Sequence, residues 1–347
     1  MPAWADILKE LTRPENALPN GSPGFDKVRR RYLAALAQKT GRATIVYSAA
    51  FLDKDAPSNV AITLGDIQGF MNAAAGLHDR RLDLLITSPG GSAEATESIV
   101  VYLRARFDHI RAIIPVAAMS AATMLALGCD EIVMGAHSQL GPIDPQFVIN
   151  TPDGPRAAPA QAILDQFRQA KRECRNPQNL PAWMPILRAY LPGLLAMCRD
   201  QRKVARRMVR QWLEQYMLRD DPERARKAED AARWFANYAY FGSHGRRVSL
   251  DDVRRLGLRG VALEDDQDLQ DAVLSVHHCY SVTHANTPAV KIIENHLGRA
   301  YVKMEREVVV AVPAPSPPGP GGTGQPLQPT GALPTRAARR RVQRGQQ

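Results

Sequence analysis

The chain has 347 residues, 45% of them hydrophobic, and a formal net charge of +10. That is enough apolar material for a substantial core in one large domain or two small ones, and the lack of any run of about 18 apolar residues argues against a membrane span. Half of the positive excess, a net +5 from seven Lys/Arg and two Glu, lies in residues 301–347, so the body of the chain argues little for nucleic acid.

The opening stretch MPAWADILKELTRPEN is polar and amphipathic. It lacks a basic region followed by an apolar one, so it does not read as a secretory signal, and a cytoplasmic location is expected. Residues 1–40 form a helical segment in this reading, clearest over 27–39. ATIVYSA (43–49) is an apolar, β-branched strand. A helix over 64–76 follows, with Gly65 and Asp66 near its start, then a buried strand, LDLLITS (82–88). Helix 92–107 carries Ile99, Val100, Leu103 and Phe107 at the spacing of one helical face. RAIIPVAA (111–118) is a third strand, SAATMLALG (120–128) a short apolar helix closed by Gly128, and EIVMG (131–135) a fourth strand.

Alternation of strand and helix at this pace predicts an α/β fold with parallel strands and flanking helices. Continuously apolar strands fit a sheet covered on both faces. Residues 160–240 read as helical, with apolar stripes and mixed charge. Eleven positive and seven negative residues are interleaved between Arg199 and Arg233, the pattern of a solvated helical face. A turn near 241–248 precedes Ser249, an N-cap for a short helix, and 267–297 reads as one or two further helices. From Val312 the chain turns rich in Pro and Gly and then in Arg, a composition that predicts disorder. The four cysteines, Cys129, Cys174, Cys198 and Cys279, show no C-x-x-C or Cys/His spacing and read as reduced thiols.

Two features lie just past the carboxyl ends of strands, where ligands gather in such sheets. The first is S-P-G-G at 88–91. Acyl transfer builds negative charge on a carbonyl oxygen, and backbone N–H groups aimed at it lower the barrier. Glycine allows the close approach, so Gly90 or Gly91 could donate; a plain strand-to-helix turn would look the same. The second is Ser120, among Ala117, Ala118, Ala121 and Ala122. It suits a helix N-cap and equally a nucleophile whose alkoxide faces the positive end of the helix dipole.

Together, SPGGS, the stretch AAMSAATMLAL-x-CDEIVM and the loop LGPIDPQ resemble the Clp peptidase/crotonase superfamily, and within it the serine dehydrogenase proteinase family, relatives of the Clp proteolytic subunit and of signal peptide peptidase A. The similarity runs from about residue 40 to 303 and includes SHGRRVSLDDVRRLGL and the segment 289–303. The resemblance implies Ser120 as nucleophile and an oxyanion hole from Gly90 or Gly91 with Ala121. It implies a Ser, Asp, His triad in that chain order, for which Asp144 and His244 are the matching positions. The base stays open at this stage. The loop LGPIDPQ lacks the histidine that the Clp proteolytic subunit carries there. Lys171 would match the lysine base of signal peptide peptidase A, and His137, His277, His278 and His284 are rivals.

The expected protein is thus a Clp/crotonase-like α/β fold with a helical segment at 1–40, a peptidase domain at 41–303 and a disordered tail at 304–347. It is expected to hydrolyse peptide or protein substrates without metal or organic cofactor and to form a homo-oligomer. Nucleic acid would enter only through the Arg-rich tail. A catalytically inactive assembly protein and an acyl-CoA enzyme of the crotonase type are the alternatives.

Overall fold

The computed structural model describes residues 4–305 apart from 12, 22, 56–58 and 152–153. The tail expected over 304–347 lies outside the described residues from 306 on. Helices α1 (Trp4–Leu11) and α2 (Phe25–Thr40) precede strand β1 (Ala43–Ala49). Then come α3 (Asp66–Ala74), β2 (Arg81–Thr87), α4 (Ala93–Arg106), β3 (His109–Ile114), the two-residue β4 (Ala117–Ala118), α5 (Ala121–Leu127) and β5 (Glu131–Met134). The short β6 (Gln139–Leu140) leads into a hairpin, β7 (Gln146–Thr151) and β8 (Gly154–Pro159). A helical stretch follows: α6 (Ala160–Glu173), α7 (Leu180–Arg188), α8 (Leu194–Trp212), α9 (Arg224–Phe235), α10 (Tyr238–Phe241) and α11 (Leu250–Arg255). The described chain closes with β9 (Gly260–Ala262), α12 (Gln267–Asn286), β10 (Ala289–Asn295) and β11 (Ala300–Met304).

Seven strands form one sheet in the order β11-β10-β1-β2-β3-β5-β9. The run from β1 to β9 is parallel, and β10 and β11 are antiparallel additions. Register explains how the sheet is buried on both faces. Val46, Leu85, Ile113 and Val133 are consecutive cross-strand partners, and all four pack under α2 and α12 with Leu33, Leu36, Val273 and Val276. Their neighbours Ile45, Leu84, Ala112 and Ile132 form the matching row on the opposite face, packed against α3, α4 and α5. Successive residues of a strand point to opposite faces, so a continuously apolar strand is what a two-sided core requires.

Helix α1 joins the same body, since Ile7 and Leu11 pack on Val28, Cys279 and Val282. Glu294 on β10 is buried and accepts from Arg29 Nε (2.6 Å), Arg30 Nε (2.7 Å) and Tyr280 Oη (3.0 Å), which ties α2 and α12 to the sheet. The four cysteines are free thiols. Among the described residues no helix is long and apolar enough to cross a membrane.

Several elements differ from the sequence reading. The apolar stretch 111–118 is not one strand: β3 ends at Ile114, and Ala117–Ala118 pairs instead with Gln139–Leu140 in a second, small sheet. Pro115 has no N–H to continue the ladder. The stretch 289–297, read as helical, holds strand β10, buried throughout and turned into β11 at Gly298, whose φ is +83°. Its Val-x-Ile-Ile sequence is β-branched and suits a sheet interior. The hairpin at 146–159 and strand β9 were not anticipated either.

One buried histidine makes the fold sensitive to acid. His284 is fully buried between Ser48 Oγ (3.0 Å from Nε2) and the Ala289 carbonyl (3.1 Å from Nδ1). This geometry suits a neutral ring that donates from Nδ1 and accepts at Nε2. Burial is the main cause that pulls its pKa down from 6.5 to about 4. As pH falls below 6.5 the unfolded chain takes up a proton that the folded one refuses, so stability should fall between pH 6.5 and about 4 by on the order of 3 kcal/mol from this group. Denaturant titrations at pH 7 and pH 5 should show the loss, and His284→Gln should reduce it.

Candidate active site

The cleft at the carboxyl ends of β2 and β3 is built by two turns that meet. Ser88 N–H donates to Ala117 O (3.0 Å) and Met119 N–H to Ser88 O (2.9 Å), so the chain after β2 pairs with the chain that enters α5. Gly90 then passes so close to Ser120 that a Cβ on it would lie 2.5 Å from Met119 O and 2.8 Å from Ser120 Cβ. Its φ of +96° is also one that side chains disfavour. Gly91 (φ +155°) is crowded from the other side, where an added Cβ would lie 2.3 Å from Ile62 N. Ile62 holds the turn with two bonds, from its own N–H to Gly90 O (2.7 Å) and from Ser92 N–H to Ile62 O (2.9 Å).

Ser120 is the N-cap residue of α5 in position, yet its side chain makes no capping hydrogen bond. Its backbone is left-handed, φ 52° and ψ −118°. Such a conformation in a residue with a Cβ is strained by roughly 1–3 kcal/mol and persists only where its surroundings enforce it. The surroundings here include Thr123, whose hydroxyl donates to Ala118 O (2.7 Å) and accepts from Gly141 N–H (2.9 Å). Met124 N–H closes the first turn of α5 on Ser120 O (3.1 Å). Ser120 directly precedes Ala121, the first helical residue of α5, whose N–H has no partner within the helix.

Asp144 and His244 are 100 residues apart, and His244 Nδ1 lies 2.9 Å from Asp144 Oδ1. The second oxygen of Asp144 accepts from Gln146 Nε2 (2.7 Å), and the carboxylate is buried. Their meeting follows from a single antiparallel bridge, Leu140 with Val248, bonded in both directions at 3.0 and 2.9 Å. Four residues further from that bridge along each segment stand Asp144 and His244. Trp234 packs edge-on to Phe241 (centroids 4.8 Å apart) and against Tyr240 (5.4 Å), which supports the turn that carries the histidine. Ile143 N–H donates to Phe235 O (3.0 Å), which fixes the acid's segment.

A cleft of about 610 Å³ gathers these pieces. Gly90, Gly91, Ser120, Ala121 and His244 all line it. Met124, Ile143, Phe147, Met197 and Ala205 supply an apolar wall, while Glu94 and Gln201 are polar members of the lining. Ser120 and His244 are not hydrogen-bonded to each other in this structure; such contacts commonly tighten only when substrate binds. Gly90 N–H is engaged by Ser88 Oγ (3.2 Å), so Gly91 is the glycine whose N–H is not committed there. Lys171 is exposed in the last turn of α6 and does not line the cleft. His277, His278 and His284 lie on α12, across the sheet from α5, and His137 is exposed after β5. Among the described residues no group of three or more His, Cys, Asp or Glu is placed to hold a metal ion.

Gln146 and the loop before α3 escaped the sequence reading. Asp66 accepts from Thr63 N–H (3.0 Å), Tyr47 Oη (2.9 Å), Lys291 Nζ (2.8 Å) and Lys303 Nζ (2.9 Å), and Lys291 also donates to Ala61 O (2.7 Å). This buried cluster fixes residues 61–66, and through Ile62 it fixes the glycine turn. Burial would raise the Asp66 pKa, but the two lysines hold it below its usual value. Burial brings Lys291 down to about 8.

A mostly parallel sheet with a serine and a glycine turn at its carboxyl edge is consistent with a ClpP-like fold. Residues 57–176, about a third of the chain, match the family model described as ClpP-like SDH-type serine proteinase. Gly90, Gly91, Ser120, Ala121, Asp144 and Lys171 fall within the match, and His244 falls beyond it. Two uncharacterized proteins of Methanocaldococcus jannaschii are similar in part. MJ0137 is 40% identical over 87 residues, 25% of this chain and 30% of that one. MJ1495 is 43% identical over 89 residues, 26% of this chain and 28% of that one. The chain therefore matches less than a third of the length of either relative. Among solved structures, a mutant of the 1510-N membrane-bound stomatin-specific protease aligns over 61% of this chain and 79% of its own, at 15% identity and a TM-score of 0.35.

Gly90→Ala should force the two turns apart, because its Cβ meets backbone rather than a yielding side chain. A loss of at least 2 kcal/mol in denaturant titration is expected. Lys291→Met should cost about 3 kcal/mol by stripping buried Asp66 of its closest cation, and pairing it with Asp66→Asn should recover part of that loss in the same titration.

Proposed function

We propose that the protein is a serine peptidase that works through an acyl-enzyme on Ser120. The observation that carries this reading is the Asp144–His244 pair, which opens on the same cleft as Ser120. With Nδ1–H donated to Asp144, the Nε2 lone pair of His244 is the basic site of the ring. In this mechanism Ser120 Oγ attacks the carbonyl carbon of the scissile bond and His244 takes the hydroxyl proton. The C–N bond then breaks as that proton passes to the departing amine. Water, deprotonated by the same ring, attacks the ester carbonyl, and the acid product leaves as the proton returns to Ser120.

Negative charge on the carbonyl oxygen would be met by the N–H groups of Ala121 and Gly91, with Gly90 shaping the turn rather than donating. Asp144 orients the imidazole and stabilises its charged form, and Gln146 holds Asp144 in turn. The absence of Lys171 from the cleft lining favours histidine over lysine as base. No step calls for a bound cofactor. On this reading the protein self-associates and works in the cytoplasm, which light scattering of the purified protein and localisation of the tagged chain would test.

A fluorophosphonate probe should label Ser120, as read by mass spectrometry of the digested protein. Ser120→Ala should abolish labelling, and His244→Gln and Asp144→Asn should slow it at least 100-fold without changing the circular dichroism of the fold; carboxylate-to-amide changes in comparable triads cost about 10⁴ in turnover. An unlabelled Ser120 in a folded protein would sink the proposal and favour an assembly protein. Thioester cleavage that survives Ser120→Ala would favour the crotonase alternative.

A further inference from the structure

The interleaved charges of α8 and α9 do not spread evenly over solvent. A groove of about 770 Å³ runs between α6, α8 and α9. From α8 it receives Arg199, Arg202, Lys203, Arg206, Arg207 and Arg210; α6 adds Arg168 and α9 adds Arg233. Glu229 is the one carboxylate in the lining, and it is shared by Arg206 (2.8 Å), Arg233 (3.3 Å) and Arg210 (3.9 Å). Arg210 also pairs with Glu214 (2.7 Å) and Arg168 with Asp165 (2.6 Å). Eight cations thus face three carboxylates, an excess of five.

That excess is concentrated. Arg199, Arg202, Lys203 and Arg207 form no ion pair among the described residues. Arg202 is the most telling, because its Nε is buried and has no hydrogen-bond partner. Burial first, and then the neighbouring charges of Arg168 and Arg206, lower its pKa below the arginine norm. Like charges crowded around a buried, unused donor make a surface that gains by taking up an anion.

We infer that this groove docks an acidic, Asp- or Glu-rich segment of a protein substrate and delivers it to the cleft on the adjoining face of α8. The delivery rests on the peptidase reading given above. Three observations choose this partner. Met197, Gln201 and Ala205 of the same helix line the cleft, and Arg202, one turn from Ala205, borders that face, so a chain held by Arg202 is beside it. The four unpaired cations span about 12 Å of helix, the reach of two or three alternate side chains on an extended peptide. No aromatic ring lines the groove, so single-stranded nucleic acid would find no stacking platform. The Arg-rich stretch RAARRR (336–341) carries the same sign and is excluded as its occupant.

The test uses the full chain with Ser120→Ala, so that binding is measured apart from hydrolysis. A fluorescein-labelled peptide of eight glutamates is titrated by anisotropy, beside a neutral Gly/Ser peptide and a single-stranded oligonucleotide of equal charge. Arg199→Glu with Lys203→Glu and Arg207→Glu, all at exposed positions, should weaken glutamate-peptide binding at least tenfold, with circular dichroism unchanged. Arg202→Gln alone should weaken it severalfold. Replacement of Arg339, Arg340 and Arg341 by Gln should leave it within twofold. In the Ser120 protein, the groove variant should raise KM for a substrate carrying the acidic segment and leave kcat and the neutral substrate unchanged. Unchanged peptide binding in the triple variant, loss of binding in the tail variant, or tenfold tighter capture of the oligonucleotide by the same residues would overturn the inference. Tight binding without cleavage of any substrate would leave the groove standing as an acidic-peptide site and refute its role in delivery together with the peptidase reading.

Discussion

The arrangement depends on one steric constraint: two backbone turns at the carboxyl edge of the sheet are pressed into contact. The pairing of Ser88 with Ala117 and Met119 sets their separation, and only a residue without a Cβ fits at Gly90. That contact holds Ser120 at a positive φ, and its side chain makes no capping hydrogen bond. The strain at Ser120 is small beside the hydrogen bonds and core packing that enforce it. The same crowding brings the start of α5 and the glycine turn against each other at the edge of one cleft.

Electrostatics hold the outer wall of that contact. Asp66 is fully buried and would be a costly charge if left alone. Four donors, two of them ammonium groups, surround it, so it serves as an anchor instead. The anchor is remote from the serine, and its effect passes through Ala61 and Ile62 to the carbonyl and amides of the glycine turn. The Asp144–His244 pair is positioned by different means, through a lone β-bridge and an aromatic cluster. Two independent supports therefore converge on one cleft.

Much of the fold was legible because its core is periodic. The rows Val46–Leu85–Ile113–Val133 and Ile45–Leu84–Ala112–Ile132 make β1, β2, β3 and β5 apolar through their centres, and intervening helices follow at regular spacing. Ser120 and the glycine pair were legible for the same reason, as small residues at strand ends. The pairing of Asp144 with His244 was reached by resemblance, not by spacing, because one bridge at Leu140 and Val248 leaves no periodic trace. Strand β10 was misread because a short apolar run beside a long helix is ambiguous in isolation. The basic groove was hidden by its acids: Asp220, Asp221, Glu223 and Asp230 balance the count along the chain, yet none of them lines the groove.

Strand β10 has a consequence for the order in which the molecule matures. It lies one strand in from the edge of the sheet, against β1, although some 240 residues separate the two in the chain. It also carries Lys291, the partner of Asp66. Until this late segment emerges and inserts, β1 is a naked edge, the carboxylate beneath it lacks its counterion, and the loop that steadies Gly90 and Gly91 has nothing to grip. The parallel strands precede β10 in the chain, so their scaffold is available before the strand that completes the support of the cleft.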